Sequence, residues 1–230
     1  MPYSISRRTT LALAAGFPIA ARAHAGRPSS APILRRGIGV HLPLNWPEGA
    51  QRDGKFAYSW PPFQGERYRI ADSELRVLSG MGFDFIRLTL DPGIFIDVAG
   101  TERAAILDAQ AVALILRIQA AGFSVVVDLH PVSLNPAYAP RALVASRASA
   151  FSAYCDLVER FAAALNRLPP DKTVFELMNE PWIEATAEWP RWQQMLEILH
   201  QRARKAAPDL ALVLTGASWS NWPALLQLYT

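Results

Sequence analysis

Five short apolar runs punctuate the chain, at residues 37–41, 83–90, 123–129, 173–178 and 210–215. Each is four to eight residues of mostly uninterrupted apolar side chains, the signature of strands buried on both faces of a parallel sheet. The third, Ser124-Val-Val-Val-Asp-Leu129, is dense in β-branched residues, which suit a pleated surface. Between the runs, apolar residues recur every three or four positions, as on one face of a helix. Leu107, Ala111, Leu114 and Ile118 form such a stripe within 104–121, and Phe151, Tyr154, Val158, Phe161 and Leu165 form a second. Trp189, Trp192, Leu196, Leu199 and Ala203 form a third, and as a core-facing stripe they need no ligand to explain them. Gly82 and Gly122 each fall between the end of a helical stretch and the start of a strand, where a helix C-terminus favours glycine. Strand–helix alternation of this kind predicts βα units joined by right-handed crossovers.

One stretch breaks the rhythm. Residues 43–71 read as a long connection that carries Trp46, Tyr58, Trp60, Phe63 and four prolines. A loop of that length is usually functional or disordered, and its aromatic content argues for function.

The composition, 51% hydrophobic and 19% charged over 230 residues, supplies one sizeable core. The formal charge of +3 belongs to the N-terminal segment: Arg7, Arg8 and Arg22 precede any acidic residue, and the other 20 basic residues equal the 20 acidic ones. With no basic stripe on the remaining chain, no nucleic-acid partner is expected. Residues 1–25 read as a bacterial export signal, with a paired-arginine n-region, an apolar run over 11–21 and Ala23-His24-Ala25 as a small-x-small cleavage site. The paired arginines resemble a twin-arginine address, which a receptor reads and which does not anchor the chain. The apolar run is too short to span a bilayer. A periplasmic or extracellular protein without a membrane anchor is therefore expected. The single cysteine, Cys155, excludes an intramolecular disulfide and falls on the apolar face of a predicted helix, as a small buried hydrophobe.

Reactive side chains gather at the C-terminal ends of the predicted strands. His41 ends the first, Arg87 lies in the second with Asp91 just after it, His130 ends the third, and Asn179-Glu180 ends the fourth. The fifth is followed by Gly216-Ala-Ser-Trp-Ser-Asn221. In a (β/α) barrel all these ends point to one face, where active sites are assembled.

Ile86-Arg87-Leu88, Val127-Asp-Leu-His130 and above all Phe175-Glu-Leu-Met-Asn-Glu-Pro181 resemble the motifs of glycoside hydrolase family 5, the cellulase and mannanase group. The resemblance runs from about residue 33 to the end of the chain, so 33–230 is read as the catalytic domain, an α/β fold of the (β/α)8 type. It implies that Glu180 is the general acid/base of a retaining endo-glycosidase acting on a β-linked polysaccharide or oligosaccharide. Asn179 would bond the sugar 2-hydroxyl, Arg87 would hold the nucleophile carboxylate, His130 would line the subsite and His41 would touch sugar. Trp219 or Trp46 would offer an indole face to a pyranose ring. Glu176 and Asp128 lie inside strands and are read as buried hydrogen-bonding groups. No cofactor or metal is implied.

The same resemblance places the nucleophile at the end of a seventh strand, about 5–5.5 Å from the acid/base. Only five βα units are legible, the spacing of Asp91 and Asp128 recommends neither as a substitute, and a whole barrel takes about 250 residues. The chain is expected to be a barrel interrupted after its fifth unit, with little or no turnover. A non-catalytic glycan-binding protein, or a barrel hydrolase acting on mannan or a glycolipid, are the alternative readings.

Overall fold

The computed structural model describes residues 31–145 and 149–226. The predicted export signal lies outside the described residues. Strand β1 (Gly37–Leu44) is followed by a hairpin, β2 (Gly49–Arg52) and β3 (Lys55–Tyr58), and then by α1 (Asp72–Gly80) and β4 (Phe85–Leu90). Helices α2 (Pro92–Asp97) and α3 (Glu102–Ala120) lead to β5 (Ser124–Leu129), and α4 (Pro140–Leu143) and α5 (Ser149–Leu165) to β6 (Thr173–Glu176). Then come α6 (Trp189–Ala206), β7 (Ala211–Val213), and the short turns α7 (Ala217–Ser220) and α8 (Trp222–Leu225).

β1, β4, β5, β6 and β7 form one parallel sheet in chain order, as successive βα units of a barrel require. The five predicted strands are these five: the first runs three residues further than predicted, and the other four are trimmed by one or two residues at one or both ends. The helical stripes also face the core: Leu107, Ala111, Ile118, Tyr154, Val158, Phe161, Leu165, Trp192, Leu196, Leu199 and Ala203 are all buried. Cys155 is buried as well, and burial pushes its thiol up to about 11.

Period-2 alternation gives the sheet two chemically different faces. Ile86, Leu88, Leu90, Val125, Val127, Leu129 and Phe175 belong to the continuous hydrophobic core beneath the helices. Their neighbours Arg87, Thr89, Asp128 and Glu176 therefore point to the concave side. Thr89, Asp128 and Glu176 sit in register with one another across three strands, a polar row on the concave face.

The stretch 43–71 is more ordered than a long loop. It folds back as the antiparallel β2–β3 hairpin, whose Asp53-Gly54 turn has both residues at positive φ (50° and 75°), the geometry that matches strand twist in a two-residue loop. A single helical turn at Glu66–Tyr68 follows. The Tyr68 hydroxyl donates to the Trp46 carbonyl at 2.9 Å and ties this segment to the end of β1.

Helix side chains fix the end of β6, where the Asn-Glu-Pro motif begins. The Tyr154 hydroxyl on α5 donates to the Leu177 carbonyl at 2.7 Å, and the Thr215 hydroxyl donates to the Met178 carbonyl at 2.7 Å. Trp192 on α6, 1% exposed, donates its indole N–H to the Thr215 carbonyl at 2.8 Å. Carbonyls that leave the strand ladder are thus satisfied inside the core, and the backbone leading to Asn179 and Glu180 is rigidly set.

Candidate active site

Arg87 is the hub of the concave face. Its Nε donates to Glu176 Oε2 and its Nη2 to Glu176 Oε1, both at 2.7 Å, a two-pronged fork onto one carboxylate. Nη2 also donates to Asn179 Oδ1 at 2.8 Å and lies 2.9 Å from Asp128 Oδ2. The guanidinium on β4 thereby reaches across β5 to β6, roughly 9–10 Å of sheet, with Val126 at its register on the intervening strand. The resemblance implied that Arg87 holds the nucleophile carboxylate. Among the described residues its fork engages Glu176, the inward-facing acid two strands away. Burial pushes the Glu176 carboxyl up, the Arg87 fork opposes that rise, and nearby Asp128 adds to it. The same contacts hold Arg87 more firmly protonated than usual, against the effect of its burial.

Asp128 serves two partners with one oxygen. Its Oδ2 meets Arg87 and also His130 Nδ1, at 2.8 Å. A carboxylate only accepts, so His130 donates from Nδ1 and its Nε2 is left for other company. The His41 ring lies edge-on to that of His130, 5.6 Å between centroids. Asn45 donates to Thr89 Oγ1 at 3.0 Å, and the Thr89 hydroxyl approaches His41 Nδ1 at 3.3 Å. Burial, with His130 and Arg87 nearby, lowers the His41 pKa and favours a neutral ring. A Cβ on Gly39 would stand 3.2 Å from His41 Nε2, so glycine there leaves room for the imidazole.

Glu180 follows directly and differs from these acids. It is exposed, and its backbone lies at φ 39°, a left-handed conformation that disfavours a residue with a Cβ. Asn179, by contrast, is buried, and its N–H donates to the Leu129 carbonyl at 2.9 Å. Its Oδ1 is held by Arg87 and its amide NH2 has no protein partner among the described residues. Trp46 (φ 56°) and Trp219 (φ 56°) are also left-handed and are about half exposed. Ser218, Trp219 and Ser220 are all left-handed in succession, which lifts the Trp219 indole beside Trp182, 5.9 Å between centroids. Three of the seven predicted site residues thus occupy strained backbone, a feature that clusters at functional sites.

Arg87, Asn179 and His130 are therefore joined in one network, with His41 against it. Trp46 and Trp219 stand at the β1 and β7 ends of the sheet. The composition and motifs missed Asn45, Thr89 and Trp182. Thr89 was legible in the alternation Arg87-Leu88-Thr89-Leu90, which places a second polar residue on the inward face. Among the described residues no group of three or more His, Cys, Asp or Glu side chains is placed to hold a metal. No helix there is long and apolar enough to cross a membrane.

A parallel βα array in chain order, whose strand ends carry an Arg–carboxylate–amide network, a left-handed glutamate and exposed indoles on one side, has the architecture of a (β/α) barrel. The comparisons agree: the chain belongs to the cellulase family, glycosyl hydrolase family 5, whose model matches residues 52–228. Among solved structures it is similar to Cel5A from Thermotoga maritima in complex with mannotriose, at 18% identity and a TM-score of 0.62, covering 85% of this chain and 56% of that one. It is also similar to the cellulose synthase subunit Z from Clostridioides difficile, at 15% identity and a TM-score of 0.64, covering 85% of this chain and 57% of that one. An endoglucanase aligns at 15% identity and a TM-score of 0.62, over 84% of this chain and 55% of that one. The chain thus spans little more than half the length of these structures. No curated protein matches it by sequence.

Proposed function

We propose that this chain carries the acid/base half of a retaining, endo-acting hydrolase of β-linked polysaccharide, with Glu180 as the proton donor and later the base. The observation that carries this reading is the pairing of Asn179 with Glu180. Asn179 is locked by Arg87 with its NH2 left to donate to a sugar hydroxyl, and Glu180 is turned out of the strand by its left-handed φ of 39°. The amide would strengthen its bond to the sugar 2-hydroxyl as positive charge develops at the anomeric carbon. His130, oriented by Asp128, would line the same subsite, with His41 beside it. Trp46 and Trp219 would provide stacking faces at the two ends of the cleft. The T. maritima relative solved with mannotriose and the endoglucanase support a β-linked glucan or mannan as substrate.

A retaining mechanism needs a second carboxylate about 5–5.5 Å from the first. The other acids on the concave face, Asp128 and Glu176, are no more than 5% exposed and already bound to Arg87, and Asp91 is 1% exposed. None is free to attack an anomeric carbon, so the nucleophile would come from outside the described residues. The 230-residue chain is expected to bind β-glycan but to turn it over slowly or not at all. The paired arginines and Ala23-His24-Ala25 support export to the periplasm or medium.

The test pairs the 230-residue chain with a longer form that supplies three further βα units. Reducing-sugar release from soluble β-glucan and mannan is expected from the longer form, with loss of at least about a hundredfold in Glu180→Gln. Robust hydrolysis by Glu180→Gln would sink the assignment.

A further inference from the structure

Two polar side chains at the end of β1 take no part in the acid/base chemistry, yet they are buried where they cannot be idle. In the β1–β4 register Val40 lies opposite Leu88 and Leu44 opposite Leu90, so three residues, His41, Leu42 and Pro43, face Thr89 alone. Such a bulge re-aims the side chains it carries, and bulges gather beside active sites. Thr89 and Asn45, the residue after β1, are both 0% exposed. A buried polar group is costly unless it is bonded, so the partners of these two say what they do.

The bonding assigns each proton in turn. The Trp46 N–H can only donate and meets Asn45 Oδ1 at 2.8 Å, which fixes the orientation of the amide. Asn45 Nδ2 therefore faces Thr89 and donates to its Oγ1 at 3.0 Å. The Thr89 hydroxyl has one proton and two lone pairs. The His41 carbonyl, 3.4 Å away, can only accept, so it takes that proton, and Asn45 occupies one lone pair. The contact with His41 Nδ1 at 3.3 Å is then satisfied only if this nitrogen carries a hydrogen and donates to the other lone pair. His41 is thereby set in the Nδ1–H tautomer, with a bare Nε2 lying over the Gly39 backbone. Its neighbour His130 takes the same tautomer through Asp128. Asn45 also works toward the rim. With Asn45 on the Trp46 N–H and the Tyr68 hydroxyl on the Trp46 carbonyl, that left-handed residue (φ 56°) is held from both sides.

We infer that Asn45 and Thr89 are positioning residues that join His41 and Trp46 into one unit. They fix the His41 ring as a hydrogen-bond acceptor at Nε2 and hold the Trp46 indole in a constant relation to it. Neither needs to touch substrate. This rests on reading His41 and Trp46 as glycan contacts, and it adds the buried pair that sets their geometry.

The test uses the 230-residue chain and two variants of one side chain: Thr89→Val keeps the volume and loses the hydroxyl, and Thr89→Ser keeps the hydroxyl. Above the range in which histidine titrates, ring nitrogen shifts should place wild-type His41 in the Nδ1–H form. Thr89→Val should move it toward Nε2–H, and Thr89→Ser should not. Asn45→Ala should shift both the His41 ring nitrogens and the Trp46 indole N–H resonance, because it removes the link between them. Calorimetric affinity for a linear gluco- or manno-hexasaccharide should fall about fivefold in Thr89→Val and recover in Thr89→Ser. A wild-type His41 in the Nε2–H form, or a tautomer indifferent to Thr89→Val, overturns the inference whether or not Asn45→Ala folds. Equal affinity in Thr89→Val and wild type overturns it too, since the ligand would then not use the geometry the pair sets. If the wild type binds neither hexasaccharide while the ring shifts behave as stated, the glycan reading fails and the positioning of His41 stands.

Discussion

Asp91 offers a sharp quantitative test of the electrostatics beneath the site. It follows β4, is 1% exposed, and caps α2 by accepting from the Gly93 N–H at 2.9 Å through Oδ1. Its Oδ2 is buried without a partner among the described residues. Burial raises its pKa to about 7, against smaller lowering effects from the Gly93 N–H and His130. The sign follows from proton uptake. Between the ordinary carboxylate value near 4 and about 7, the folded chain holds a proton that the unfolded chain has released. Stability is therefore highest below that window, falls as pH rises through it and levels off above it. A displacement of roughly three pKa units at 1.36 kcal/mol each corresponds to about 4 kcal/mol. That is an upper figure, because water entry around the charged form reduces the loss. Asp91→Asn keeps the shape and the Oδ1 cap but cannot ionise. Urea unfolding of both proteins at intervals from pH 4.5 to 8.5 isolates the effect, since every other titrating group is common to the two. The stability difference should move in favour of Asn by several kcal/mol, with most of the change between pH 5 and 7. A difference that stays flat across that range would show that the Asp91 carboxylate is solvated or paired, and would refute the reasoning.

Glu176→Gln keeps the volume but removes the charge that the Arg87 fork grips, leaving Asp128 as its one close carboxylate. Stability at pH 7.5 should fall by about 1–3 kcal/mol in urea unfolding, and an unchanged midpoint would show that the fork contributes nothing net. Asp128→Asn tests the orientation of His130. Ring nitrogen shifts should place the neutral wild-type imidazole in the Nδ1–H tautomer, and the variant should move toward Nε2–H; a wild-type ring already in the Nε2–H form would contradict the Asp128 assignment.

The strand–helix order was legible because burial imposes period: uninterrupted apolar runs for strands covered on both faces, three-to-four spacing for helices against them. The reactive positions were legible because crossovers of one hand bring every strand's C-terminus to the same face. Trp189 and Trp192 were likewise legible as helix-stripe residues, and Trp192 proved to be a core residue that also holds the Thr215 carbonyl. The hairpin inside 43–71 was obscured by its prolines and aromatics, although Asp53-Gly54 is the dipeptide that a tight turn of this kind selects.

The sequence by itself determined which residues face inward, the order of the βα units and the place of Asn179-Glu180 at a strand end, since these follow from local periodicity and chain order. Tertiary structure alone decided that Arg87 grips Glu176, that Asp128 is shared between Arg87 and His130, and that Trp182 stands against Trp219. Those contacts join residues up to 89 positions apart, and their geometry depends on strand register, side-chain reach and backbone strain. None of these is written in the spacing of residues along the chain.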